Sequence, residues 1–270
     1  MFGASSRLLS FFMQPLLTIH LMTTPTMAGS LQVPQVQQVI FVVDNDENIG
    51  SFGDMSLLRS LWVRLRIHCD RRQAVEDAIR VMSDNRLFRH GLQDFFAFLV
   101  GLRAAGVAKA IVMCTGATDA HGWVSFLKDV LEAWFGEHIY DLVIDGQQLR
   151  RWHERQGSDA IKNSAFVKDM DMVRELLGVA PHFPVVAIDD RAENILAHRG
   201  LAVGVSPYRV PLDFRSACEE TMALESWELY VDVLRTAYKP ADVTDPDTDV
   251  ALEDAVERIR RWLYPSAPVA

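Results

Sequence analysis

Residues 38–49 read Gln-Val-Ile-Phe-Val-Val-Asp-Asn-Asp-Glu-Asn-Ile. A short, uninterrupted apolar run rich in Val and Ile, stopped abruptly by acidic residues, is the pattern of a strand buried on both faces. Four more such runs occur, at 110–114, 140–144, 185–188 and 201–205, each closed by polar or Gly-containing residues. Helical periodicity fills the gaps. Leu57, Leu58, Leu61, Trp62 and Leu65 form one stripe, and Leu92, Phe95, Phe96, Leu99 and Leu102 form a second. Trp123, Phe126, Leu127, Val130, Leu131 and Trp134 form a third. Strands alternating with amphipathic helices predict an α/β protein with a mostly parallel sheet. Aromatic residues at helical spacing read as core packing rather than as a cofactor site.

Outside this stretch the pattern changes. Residues 8–22 are largely apolar after Arg7, with small residues at 28–30, which fits a signal peptide or a weak organellar presequence. Translation from Met22 or Met27 would equally account for it. The run is too short and broken for a stable membrane span. Residues 1–34 are therefore set apart as a leader or disordered segment. Residues 212–238 read as helical, with Trp227, Tyr230, Val231 and Leu234 on one side, and residues 239–249 read as a Pro/Asp/Thr linker. Leu252, Ala255, Val256, Ile259 and Trp262 form a last amphipathic helix, expected to dock on the domain. This gives a domain over 35–210 with a helical insertion at about 55–86, and a helical C-terminal extension over 211–270.

Composition narrows the chemistry. A net charge of −9 at pH 7 removes the phosphate-neutralising surface that nucleic-acid binding needs, so no nucleic-acid partner is expected. An anionic substrate would need a local cation. Cys69, Cys114 and Cys218 are odd in number, widely spaced and form no CxxC pair. That points to free thiols in a reducing compartment, hence an intracellular, cytoplasmic protein unless the leader is a targeting segment. Nothing in the pattern specifies an oligomeric state.

Ligands of parallel α/β sheets bind beyond the carboxyl ends of the strands. Asp44-Asn45-Asp46 come after the first apolar run, Thr115-Gly116 after the second, and Asp189-Asp190 after the fourth. Lys168 precedes a helical segment at 169–177. Clustered carboxylates repel unless a divalent cation joins them, and hard oxygen ligands suit magnesium. A carboxylate can attack phosphorus, while a hydroxyl and an ammonium hold the equatorial oxygens of the transferring group.

The order Asp44-x-Asp46, Thr115, Lys168, Asp189-Asp190 resembles the four motifs of the haloacid dehalogenase-like superfamily. The likeness is nearest to its C-terminal-domain phosphatase branch, the NLI-interacting-factor-like phosphatases. Residues 44–49, DNDENI, stand where that branch has a DLDETL-like motif. Arg89-His90-Gly91 stand for its RPG, residues 166–170 (FVKDM) for a YVKDL-like stretch, and residues 187–195 (AIDDRAENI) for the last motif. The likeness spans about residues 38–208. It implies a Rossmann-like parallel sheet flanked by helices and a phosphatase that works through an aspartyl-phosphate. In that scheme Asp44 is the nucleophile, and Asp46 protonates the leaving oxygen and later activates water. Thr115 and Lys168 bind phosphoryl oxygens. Magnesium would be held by Asp44, Asp46 (through its backbone), Asp189 and Asp190, with Asp190 as third carboxylate ligand and Asp189 orienting the site. Glu193 and Asn194 could support it.

Two departures set up alternatives. Asn48 stands where the family has Thr or Val, which admits a catalytically weak relative that binds a phosphorylated partner. The insertion at 55–86 could cap the site, which would favour a small phosphate ester over the phosphoserine or phosphothreonine of a protein. Other phosphate chemistries fit less well. A receiver domain has its acidic pair first and its lysine last. A cysteine phosphatase needs Arg six residues after its Cys, where this chain has Val75 and Ala120. No GxxxxGK[ST] or GxGxxG loop is present, and the histidines lack metal-ligand spacing.

Overall fold

In the computed structural model, which describes residues 38–157, 167–222 and 242–265, the opening run becomes strand β1 (Val39–Val43), buried at every position. Its alternation shows why. Val39, Phe41 and Val43 enter one apolar cluster, whereas Ile40 and Val42 enter another on the opposite face of the sheet. Both faces are covered, so the strand needs no polar side.

After β1 the chain forms α1 (Gly53–Leu65), α2 (Arg71–Asp84), α3 (Leu92–Ala104), β2 (Ala108–Cys114), α4 (Trp123–Phe135), β3 (Leu142–Ile144) and α5 (Gly146–Gln156). Then come β4 (Lys168–Asp169), α6 (Met170–Leu176), β5 (Val185–Asp189), β6 (Ile195–Leu196), β7 (Leu201–Gly204), α7 (Phe214–Thr221) and α8 (Ala251–Leu263). Five strands make one sheet in the order β3-β2-β1-β5-β7, every neighbouring pair parallel. The five expected strands are these five, with ends shifted by one or two residues. Residues of α1 to α4 and α8 pack on one face, and residues of α5 and α6 on the other. This is the α/β architecture expected, a Rossmann-like parallel sheet between helical layers. No described helix is long and apolar enough to cross a membrane.

The C-terminal region departs from expectation in one respect. Residues 242–249 do not behave as a free linker. Thr244 N–H donates to the Arg209 carbonyl at 2.9 Å, Arg86 pairs with Asp247 at 2.9 Å, and Arg89 holds Asp249. Charged and hydroxyl side chains bind the strap at several points, which its Pro/Asp/Thr composition does not reveal. Beyond it, Leu252, Ala255, Val256 and Ile259 bury the inner face of α8 against α3 and β7, so this helix docks. The leader over 1–34 and the positions Trp227, Tyr230, Val231 and Leu234 lie outside the described residues. Of the helix expected over 212–238, α7 is the described part.

Candidate active site

Val43 of β1 pairs with Ile188 of β5, so Asp44 and Asp189 stand side by side at the carboxyl edge of the sheet. Strand order reverses here, because β1 continues to β2 on one flank and meets β5 on the other. Crevices of α/β sheets open at this switch point. Thr115 comes directly after β2, on the far side of β1. Its N–H donates to the Ile144 carbonyl at 3.0 Å, and its hydroxyl accepts from Ala117 N–H at 3.1 Å. The loop presses against the start of α5, where a Cβ on Gly146 would lie 2.1 Å from the Gly116 carbonyl oxygen.

Lys168 arrives from the other helical layer. It pairs with Ile195 in the small β4–β6 ribbon. Around it, His153 bonds the Val167 carbonyl at 2.8 Å, and Trp152 Nε1 donates to Asp169 at 3.0 Å. So braced, Lys168 is only 4% exposed. Its Nζ lies 2.9 Å from Asp44 Oδ2 and donates to Asp189 Oδ2 at 2.5 Å. The other oxygen of Asp189 accepts from Arg191 N–H at 2.7 Å.

The loop after Asp44 is held tightly. Asn48 is fully buried, and its Nδ2 donates to the Asp44 carbonyl at 2.9 Å and the Ile188 carbonyl at 3.0 Å. The residue that departs from the family pattern thus clamps the ends of β1 and β5 from behind. Glu47 takes a left-handed backbone (φ 59°), a conformation that costs about 1–3 kcal/mol unless neighbours impose it. Here Tyr208 N–H donates to its carbonyl and Arg209 pairs with its carboxylate at 2.8 Å. Asp46 projects beyond the loop, exposed, with Oδ1 accepting from Phe52 N–H at 2.9 Å.

One oxygen each from Asp44, Asp189 and Asp190 lies within 4.8 Å of the other two. The Asp46 carboxylate is not part of this group. Burial pushes the Asp44 carboxyl up to about 7, with Asp189 adding to the rise and Lys168 opposing it. Asp190 is pushed up to about 6, first by burial, then by Asp189, against Arg191. Burial would lower Lys168, but Asp44 and Asp189 outweigh it, so its pKa is raised and it stays an ammonium. Asp46 is raised too, first by desolvation of its carboxyl and then by Glu47, against the Phe52 amide. Three close carboxylates, with Lys168 at Asp44 and Asp189 and Arg191 3.5 Å from Asp190, leave the ionised cluster one positive charge short. Hard oxygen donors at this spacing fit a magnesium ion.

The cleft encloses about 240 Å³, and Asp44, Asp46, Thr115, Lys168, Asp189 and Asp190 all line it. Asn194 lines it as well, whereas Glu193 does not. Gly116, which follows Thr115 beyond the second strand, lines it too, and Glu47, Ala117 and Arg191 do so without having been expected there. Each lies within two residues of a predicted one, which is the only signal the sequence offered. No residue of 55–86 lines this cleft. Cys114 lies buried beneath it, its thiol pushed up to about 12 chiefly by burial, and is therefore no nucleophile.

No family model matches the sequence, and no curated protein does. Among solved structures the chain is similar to one described as Fcp1, an essential RNA polymerase II CTD phosphatase, at 15% identity and a TM-score of 0.38. That match covers 84% of this chain and 62% of the other. So remote a likeness adds no weight of its own; the parallel sheet and the side chains gathered at its edge carry the reading.

Proposed function

We propose that this chain is a magnesium-dependent phosphomonoesterase that works through an aspartyl-phosphate on Asp44. The observation that carries this is the buried Lys168, within 2.9 Å of Asp44 and 2.5 Å of Asp189, in a cluster of three carboxylates whose charge Lys168 and Arg191 together do not balance. Lys168 keeps Asp44 aligned and lowers its proton affinity against burial. An Asp44 oxygen then attacks phosphorus as the ester P–O bond breaks, and Asp46 protonates the departing oxygen. Asp46 suits that role because it is exposed at the mouth of the cleft and its pKa is raised. In the second half Asp46 takes a proton from water, which attacks the phosphorus and releases Asp44. Thr115 and Lys168 hold phosphoryl oxygens throughout. Asp44, Asp189 and Asp190 would hold the magnesium, which when bound offsets the charge gathered on the phosphate.

The substrate we favour is phosphoserine or phosphothreonine in a protein, because no residue of 55–86 lines the Asp44 cleft, Ser56 and Ser60 lining only the hollow beside it. The reading as a weak, phosphate-binding relative rested on the unassigned tail and on Asn48. That side chain lines neither the cleft nor its neighbour and stabilises the strand ends instead.

Turnover of para-nitrophenyl phosphate tests the proposal. It should require magnesium, stop on chelation, and fall on the order of a thousandfold or more in Asp44→Asn with the fold retained. Phosphate binding without turnover of aryl phosphates or phosphopeptides would overturn it.

A further inference from the structure

Beside the acidic cleft lies a second hollow of about 240 Å³ that shares Asp46, Thr115 and Ala117 with it. This is below the roughly 300–1,000 Å³ of sites for drug-sized ligands, so it suits one ring-sized group. It lies on the Asp46 side, away from Lys168, Asp189 and Asp190, none of which lines it. A phosphoryl group held in the cleft would therefore direct its ester oxygen past Asp46 into this hollow.

The walls define what fits. Phe52, Trp123, Val124 and Leu127 supply apolar surface. Ser56 and Ser60 of α1 contribute hydroxyls whose hydrogens are already donated to the carbonyls of Gly53 at 2.7 Å and Ser56 at 2.9 Å. Only their oxygen lone pairs remain for a ligand. No lysine or arginine lines the hollow, although α1 carries Arg59, whose guanidinium lies 4.7 Å from the Phe126 ring centre. His121 lines it from an exposed rim position. Asn45 also lines it, is 1% exposed, and has a side-chain amide with no protein partner at either atom.

Resting on the phosphatase reading above, we propose that this hollow is the leaving-group subsite and selects an uncharged apolar body, which in a protein substrate is a side chain next to the phosphorylated serine or threonine. A leaving group bearing a second anion meets the Asp46 carboxylate and the serine lone pairs with no cation to balance it.

The test compares kcat/KM with magnesium for phenyl phosphate and para-carboxyphenyl phosphate, in the unmodified chain, Ser60→Arg and Thr118→Lys. The second variant sits on a loop lining the same hollow and guards against misfolding of the first. The unmodified chain should prefer phenyl phosphate by roughly tenfold or more, and a folded variant should shrink that preference at least several-fold. Turnover with an unchanged or absent preference would overturn this inference and leave the phosphatase reading standing. Absence of turnover on every ester would overturn both.

Discussion

Two buried ionic clusters in this chain solve the same problem in opposite ways. Arg89 and Asp249 form a bidentate pair at 2.6 and 2.8 Å, with side chains 0% and 4% exposed. The remaining Arg89 donors meet the Asn48 carbonyl at 2.7 Å and the Ser206 hydroxyl at 3.1 Å, and its guanidinium lies 5.4 Å from the Tyr208 ring centre. One charge answers one charge, and four hydrogen bonds of the guanidinium close within the protein. At the sheet edge, Asp44 and Asp189 meet Lys168, while the neighbouring Asp190 pairs with Arg191 at 3.5 Å. The first cluster is complete in the folded chain. On the reading proposed above, the second is completed by a further cation when its carboxylates are ionised, and that deficit distinguishes a site from a brace.

Breaking each cluster should therefore have different consequences. The largest stability effect is expected for Asp249→Ala, which strands the Arg89 charge in the core. A loss of about 3–5 kcal/mol, or roughly 6–20 °C in Tm, is expected by thermal unfolding. Catalytic activity should also suffer, since Arg89 supports the loop after Asp44 through the Asn48 carbonyl. An unchanged Tm would mean that the strap does not hold the domain. Asp190→Asn should do the reverse: without magnesium its stability should stay within about 1 kcal/mol of the parent or rise, because a repelled carboxylate is gone. The stabilisation that the parent gains from magnesium, about 2.7 kcal/mol at a hundredfold excess over Kd, should largely vanish.

The acidic cluster also predicts an unusual pH response. The folded Asp44 carboxyl titrates near 7 against a usual 3.8, so between those values the folded protein holds more protons than the unfolded one. Metal-free stability should then fall as pH rises through that window, the opposite of an ordinary paired carboxylate. With saturating magnesium the trend should flatten or reverse. Metal affinity itself should rise with pH from about 6 to 7 as Asp190 and Asp44 lose their protons, which calorimetry would read as proton release. The smallest effect on magnesium binding is expected for Asn48→Ala. Losing two buried hydrogen bonds should lower stability by about 1–2 kcal/mol, with magnesium affinity changed less than in Asp190→Asn.

The contrast also explains how much was legible in the sequence. The five strands were readable because burial on both faces leaves no polar interruption, and sheet rules then placed the residues just past their carboxyl ends along one edge. Asp44, Thr115 and Asp189 could be found that way. Lys168 was visible chiefly through the motif it belongs to, since the ribbon and the His153 and Trp152 contacts that aim it depend on tertiary packing. The brace was hidden for the same reason. Arg89 and Asp249 lie 160 residues apart, and nothing periodic links an arginine before one helix to an aspartate before another. The side hollow was equally hidden: Ser56 and Ser60 sit one helical turn apart, but only the packing of α1 shows that this face meets Asp46.

The most direct test of the central claim is chemical capture at Asp44. The protein would be mixed with magnesium and an aryl phosphate carrying a labelled phosphoryl group, quenched in acid, and reduced with borohydride. The account predicts label on the chain before reduction, conversion of Asp44 to homoserine afterwards, and neither in Asp44→Asn. Turnover with the label on another residue, or with full activity retained in Asp44→Asn, would contradict it.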